Sequence, residues 1–400
     1  MLRALPPAGH SIGFGTLLKA CLSDSKDPRF LNKWIENSQL YLVSSGTAAL
    51  TLSLNALKKL SSKRKVILPS YSCPSVIASV IKADLKPVLS DLKSHCFQMD
   101  VDQLTSKLDS GTLAVIAVHL FGIPENIPDL KKLTAERGVV LIEDAAQAFG
   151  NKVHLSPQSS PLSADRYLGS LGDIGIFSFG RGKPFTLLAG GAISVNNHEL
   201  LKCVQEAYVS LPQADTSLYS FRYVLNLLFY SIFYHPKLYW IPERLPWLKL
   251  GETIFTLSFG IDRINPHVVK LGNKLISNFD EIRESRLKIT EFYIEKLKGF
   301  RDEFTFFPKT DGALLRFPII FRSREKRDRI LVELKKRGLG ATGMYPVPLN
   351  EQEGVSPYFT GNETYPNAKF VSERILTLPI HEHVRVEDIE HIRQIIQKAG

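Results

Sequence analysis

Between residues 40 and 195, short β-branched apolar runs alternate with longer stretches whose apolar positions recur at helical spacing. Helices crossing between mostly parallel strands leave this pattern. Strands are predicted at 40–43, 66–68, 87–89, 114–118, 139–142, 174–179 and 192–195, with helices at 46–60, 74–83, 99–107 and 127–137. Several strand runs are apolar at every position instead of alternate ones, as expected for a sheet covered on both faces. The reading is an α/β domain of about seven strands. Beyond 260 the pattern becomes a long helical stretch at 265–300, a strand at 313–321, a helix at 324–337, a strand at 375–379 and a helix at 386–398. That suggests a smaller α+β lobe, and a partition into 1–210, an insert at 211–259, and 260–400.

Composition agrees with two lobes. Of 400 residues, 44% are apolar and 22% charged, too apolar for a disordered chain and more than one compact core usually holds. Fifty Lys and Arg against forty Asp and Glu give +10, which suits an anionic ligand. The excess is diffuse, and its one cluster, at 58–65, reads as a solvated loop, so no nucleic-acid partner is expected. Cys21, Cys73, Cys96 and Cys203 form no C-x-x-C pair, which argues against a disulfide framework or structural zinc. His381 and His383 have no third ligand nearby, so no metal is expected. The N-terminus meets Pro6 and Pro7 soon after its single Arg3, unlike a secretory signal. No window reaches the ~18 consecutive apolar residues of a spanning helix. A cytoplasmic protein is expected.

Three segments could carry chemistry. Ser44-Ser45-Gly46-Thr47 follows a strand and opens a helix, a junction that suits a phosphate as well as a plain cap. Glu143 and Asp144, then Gln147, stand at the carboxyl edge of a buried strand, where open α/β sheets bind ligands. Lys183 follows a strand and two glycines, and such a lysine against apolar neighbours could serve as an amine nucleophile.

The ordered set Ser45-Gly46-Thr47, Pro69-Ser70-Tyr71, His119-Leu120-Phe121-Gly122, Glu143-Asp144-Ala145-Ala146-Gln147, Gly172-Asp173, Phe177-Ser178-Phe179, Lys183 and Gly190-Gly191-Ala192 closely resembles the DegT/DnrJ/EryC1/StrS family. The resemblance implies a pyridoxal-phosphate sugar aminotransferase with the fold type I, aspartate-aminotransferase-like architecture. It implies Lys183 as the Schiff-base lysine and proton carrier, and Asp144 beneath the pyridine nitrogen. Gln147 would lie near the ring oxygen, with Gly46, Thr47 and Ser178 on the phosphate. It further implies an amino-acid donor such as glutamate, a keto-sugar acceptor on a nucleotide or lipid, a role in cell-surface polysaccharide or glycolipid synthesis, and a homodimer. A lyase, or a catalytically silent relative that binds sugar, protein or membrane, is the alternative reading.

Four departures stand out. Cys73 occupies the place of the family's ring-stacking aromatic, so either its thiol packs on the ring or Tyr71 swings in. Arg263 is preceded by Ile261 instead of the usual cross-subunit Asn, with Arg181 as a replacement cation or an ordinary surface arginine. Met344 stands where the family often has His. Finally, the distance from Lys183 to Arg263 is about forty residues longer than the family's. The added stretch is aromatic, and over 219–249 it carries Arg222, Lys237, Arg244 and Lys249 against Glu243. Such a segment suits a peripheral contact with the inner face of the cytoplasmic membrane, a packed lid over the site or between subunits, or a protein-partner surface.

Overall fold

A computed structural model describes residues 3–23, 27–35, 38–155, 165–213, 216–245, 254–306, 312–359, 361 and 363–399. The strands are β1 (Gln39–Val43), β2 (Lys65–Pro69), β3 (Lys86–Ser90), β4 (Thr112–Val118), β5 (Val140–Asp144), β6 (Lys152–His154), β7 (Asp165–Tyr167), β8 (Ile174–Ser178) and β9 (Gly191–Val195). Seven of them form one sheet in the order β1-β9-β8-β5-β4-β2-β3, while β6 and β7 make a separate hairpin. Only β9 runs against its neighbours in the large sheet. The carboxyl ends of β1, β2, β4, β5 and β8 therefore share one edge.

The uniform apolar run of β4 has a direct cause. Its Ala114, Ile116 and Val118 enter one core, and Val115 and Ala117 enter the core on the opposite face. Helix α2 (Gly46–Leu60) helps cover the first face, while α4 (Val101–Lys107) and α5 (Ile127–Glu136) cover the second. On the first face, α3 (Pro74–Lys82) starts with proline at its first position, where the missing N–H costs nothing. Before them in the chain lies α1 (Phe14–Cys21). All four cysteines are free thiols.

The small lobe holds a three-stranded antiparallel sheet of β10 (Phe304–Phe306), β11 (Arg316–Phe321) and β12 (Ile375–Pro379). Two of these strands are where the sequence pattern put them, although β11 begins at Arg316 and not at 313. The expected long helix at 265–300 is two, α9 (Pro266–Leu275) and α10 (Phe279–Leu297). They are parted where the Ser277 hydroxyl bonds to the Lys274 carbonyl and to Asn278, local bonding that competes with the helix ladder. The remaining helices of this lobe are α11 (Arg324–Lys336), α12 (Pro366–Arg374) and α13 (Val386–Lys398).

Packing crosses the boundaries drawn at 210 and 260. Val268, Val269, Leu271 and Leu275 of α9 join the large lobe's aromatic core of Phe30, Trp34, Phe149, Phe177, Phe179 and Phe185. Conversely, residues near the N-terminus belong to the small lobe: Leu5 N–H bonds to Gly338 O at 2.8 Å and Arg3 pairs with Asp388 at 2.5 Å. Sequence order misplaced them because apolar faces, not chain position, decide which core an element completes.

The insert is helical. After α6 (Leu201–Val209) come α7 (Thr216–Phe233) and α8 (Pro236–Glu243); Trp247 and Lys249 lie outside the described residues. Tyr223, Leu227 and Tyr230 form the buried face of α7, at helical spacing, and Tyr234 just past its end continues it.

Candidate active site

Five segments meet at the shared edge. After β1, the Ser45 hydroxyl accepts the Ala48 N–H at 3.0 Å and caps α2, leaving the Gly46 and Thr47 amides at the open helix end. A Cβ on Gly46 would stand 2.7 Å from the Ser178 Cβ, so glycine lets the helix end approach the end of β8. This makes a cradle of amides and a hydroxyl with no carboxylate in it, as a phosphate requires.

At the end of β5, Asp144 is buried and its Oδ1 accepts only the nearby Ala146 N–H at 2.9 Å. Burial raises its pKa; that N–H, Lys183 and His119 oppose the rise. Asp144, Lys183, Gly46, Thr47, Cys73, Gln147 and Ser178 all line one cleft. The neighbouring Glu143 points to the other face. It accepts from His119 Nε2 at 3.0 Å and from the amides of Gly169, Leu171 and Gly172. Burial alone would raise its pKa, but these bonds hold it below the ordinary value. Because His119 Nδ1 accepts the Glu125 N–H at 3.0 Å, its proton sits on Nε2 and faces Glu143. Glu143 thus braces the strand ends and does not line the cleft.

Lys183 rides on a tight loop closed by Phe179 N–H to Gly190 O at 2.9 Å and Leu187 N–H to Phe179 O at 2.7 Å. Gly182 permits the turn with φ +71°. The loop is tied down from three sides. Thr186 Oγ1 donates to Lys183 O at 2.8 Å, its N–H donates to His10 Nε2 at 2.8 Å, and Arg286 Nη1 donates to Pro184 O at 2.9 Å. His10 is buried and its pKa falls to about 4, so it serves as a neutral acceptor.

Tyr71 is held away from the cleft lining. Its buried hydroxyl donates to Met344 O at 2.5 Å, and Cys73, with its thiol 2.8 Å from Ser75 Oγ, lines the cleft instead. Gln147 is held at both ends, accepting Phe121 N–H at 2.9 Å and donating to Tyr345 OH at 3.3 Å. Tyr345 is the supporting residue that sequence reasoning missed as a participant, since it reaches Gln147 from 198 residues away. Arg263 donates to Val209 O at 2.6 Å and lies over the Tyr208 ring of its own chain, while Arg181 is exposed. His381 is no ligand: Nε2 bonds to Pro6 O at 2.7 Å and Nδ1 accepts His383 N–H at 3.2 Å.

The phosphate-ready cradle, the buried aspartate without a cationic hydrogen-bond partner and the lysine in one cleft fit pyridoxal phosphate. On this sheet they define a fold type I pyridoxal-phosphate enzyme. The DegT/DnrJ/EryC1/StrS aminotransferase family matches residues 29–211 and 262–397, and the chain belongs to it as a pyridoxal-phosphate-dependent aminotransferase. The unmatched stretch between the two segments is the α7–α8 insert. Over 356 residues the chain is 23% identical to UDP-N-acetyl-3-dehydro-alpha-D-glucosamine 3-aminotransferase of Acidithiobacillus ferrooxidans, covering 89% of this chain and 83% of that one. It is 31% identical over 175 residues to GDP-perosamine synthase of Escherichia coli O157:H7, covering 43% and 45%. Among solved structures, Helicobacter pylori PseC, an aminotransferase of pseudaminic acid biosynthesis, shares the fold with a TM-score of 0.77 at 17% identity, covering 99% of each chain. The pyridoxal-phosphate form of the sugar aminotransferase Spr1654 from Streptococcus pneumoniae also has a TM-score of 0.77, at 19% identity, covering 99% of this chain and 100% of that one.

Proposed function

We propose that this enzyme moves an amino group from an amino acid, glutamate in our reading, to a keto sugar carried on a nucleotide or a lipid. The product serves cell-surface polysaccharide or glycolipid synthesis, and the enzyme works in the cytoplasm as a homodimer. The observation that carries the reading is the convergence of Lys183, Asp144 and the Gly46 helix end in one cleft. The sugar acceptor is supported by the relatives, which are named for UDP-, GDP- and dTDP-sugar chemistry.

Pyridoxal phosphate, when bound, supplies an electron-withdrawing ring that carries the amino group between the two substrates. The Gly46 and Thr47 amides and the Ser178 hydroxyl would hold its phosphate. Asp144 would answer the positive charge of a protonated ring nitrogen, which would repay the carboxylate's burial. Lys183 Nζ would take and return the proton at the substrate carbon. Cys73 and Gln147 would stand beside the ring. Beyond Tyr345 lies a groove of about 700 Å³ lined in part by Tyr239, Arg327, Lys335 and Met344. Its lining sets Arg327 and Lys335 against Glu243 and Glu353, and α8 of the insert forms one bank.

The test is spectroscopic. The purified protein should show the visible band of lysine-bound cofactor, and glutamate should bleach it. Lys183→Ala should lack the band and lose about 10²–10⁴-fold or more in rate. A band that survives Lys183→Ala, or that glutamate leaves unchanged, would remove the assignment.

A further inference from the structure

Among the described residues, eighteen large apolar side chains are exposed, and eleven of them lie on α1, its C-cap Leu22, or the α7–α8 pair. Leu218, Phe221, Leu225, Phe229 and Ile232 form one outward stripe on α7, opposite its buried tyrosines. Phe221 is 66% exposed and Phe229 51%, values that no ordinary solvent-facing stripe needs. Phe14, Leu18 and Leu22 extend the patch on α1, and an apolar groove of about 350 Å³ between α1, α7 and α9 joins the two helices. The patch is therefore continuous over two elements that the chain keeps 200 residues apart.

We propose that this α1–α7 face docks on a membrane surface containing anionic lipid. Charge selects the occupant. Neither α1 nor α7 contains an Asp or Glu, while Lys19 and Arg222 are exposed on them and Lys237 is exposed at the start of α8. Two helices that carry cations and no acid, with Asp262 acting only on Tyr219 of α7, match anionic headgroups over acyl chains. A second copy of the chain fits less well, because a two-fold contact brings together two faces whose helices each carry Lys19 and Arg222 and no acid. No helix among the described residues is long and apolar enough to cross a membrane, so α7 lies in the interface plane.

The test is sedimentation of the full-length protein with vesicles of phosphatidylcholine alone or mixed equally with phosphatidylglycerol. The protein should pellet with the mixed vesicles. The double variant Leu225→Glu, Phe229→Glu should reduce the bound-to-free ratio by about tenfold or more, with its cofactor absorbance and molecular mass unchanged. Lys19→Glu, Arg222→Glu leaves the apolar stripe intact and should lower the ratio several-fold on mixed vesicles only; this pair decides the matter if the first variant misfolds. Failure of the unaltered protein to pellet, or pelleting that neither pair changes, overturns the proposal. A fall in molecular mass in either pair assigns the face to a second copy and overturns it as well.

Discussion

Glu143 and Asp144 are adjacent acids with opposite fates because side chains alternate across a strand. Glu143 turns into a lattice of His119 and three backbone amides, and Asp144 turns into the cleft beside Lys183. Asp144→Asn should keep the fold and bind cofactor, yet lose on the order of a hundredfold or more in kcat, since only the charge opposite the ring is removed. Glu143→Gln should instead lower the melting temperature, readable by calorimetry, because it breaks a buried network. The placing of Asp144 and Lys183 at strand ends was legible in the sequence. The side to which each acid turns was not, nor was the bond that ties Tyr71 to Met344 O and leaves Cys73 on the cleft. A third acid yields a pH prediction. Glu125 is buried, which pushes its pKa up to about 7, against hydrogen bonds from Asn126 and Met99. The folded chain thus holds this proton more tightly than the unfolded chain, and stability falls as pH rises from the unfolded value through about 7. The stability of wild type relative to Glu125→Gln should decline between pH 5 and 8, by roughly 3 kcal/mol at most. A difference that stays flat across that range would show that Glu125 does not titrate there.

At the scale of elements, α7 is a part of the active-site support as well as a surface. Tyr223 OH donates to Leu187 O at 2.8 Å, four residues past Lys183, and Tyr230 OH donates to His10 O at 2.9 Å. His10 in turn receives the Thr186 N–H, so the insert's buried face rests on the loop that carries the lysine. Gly9 lets that contact close, since a Cβ there would stand 2.7 Å from the Tyr230 hydroxyl. Tyr223→Phe and Tyr230→Phe should each cost about 1 kcal/mol, measurable by denaturant unfolding. Removing the whole insert would expose the aromatic core, so a deletion should unfold the large lobe and is a poor probe of membrane contact. Membrane contact and packed lid were alternatives in the sequence. In the structure the inner face of α7 is core, α8 borders the groove, and the outer face is bare. The apolar residues of α7 occupy both of its sides, which an aromatic count does not distinguish.

For the whole molecule, the +10 charge is spread widely, but helices α1 and α7 carry cations and no acid. Raising salt from 0.05 M to 0.5 M, both approximate, should weaken binding to the anionic vesicles several-fold by screening, while leaving an apolar remainder. Complete insensitivity to salt would remove the electrostatic part of that docking. The α/β architecture with its seven-stranded, mostly parallel sheet was determined by the sequence itself. Parallel strands buried on both faces, capped helix starts and short loops at strand ends are local patterns, and their residues sit within a few positions of one another. The tertiary structure alone decided which lobe α9 and the N-terminal residues complete, that Tyr345 bonds to Gln147, and that α1 and α7 make one surface. Those outcomes depend on faces that meet across tens to hundreds of residues, and hydrophobic burial, being non-directional, writes no signal for its partner into either segment.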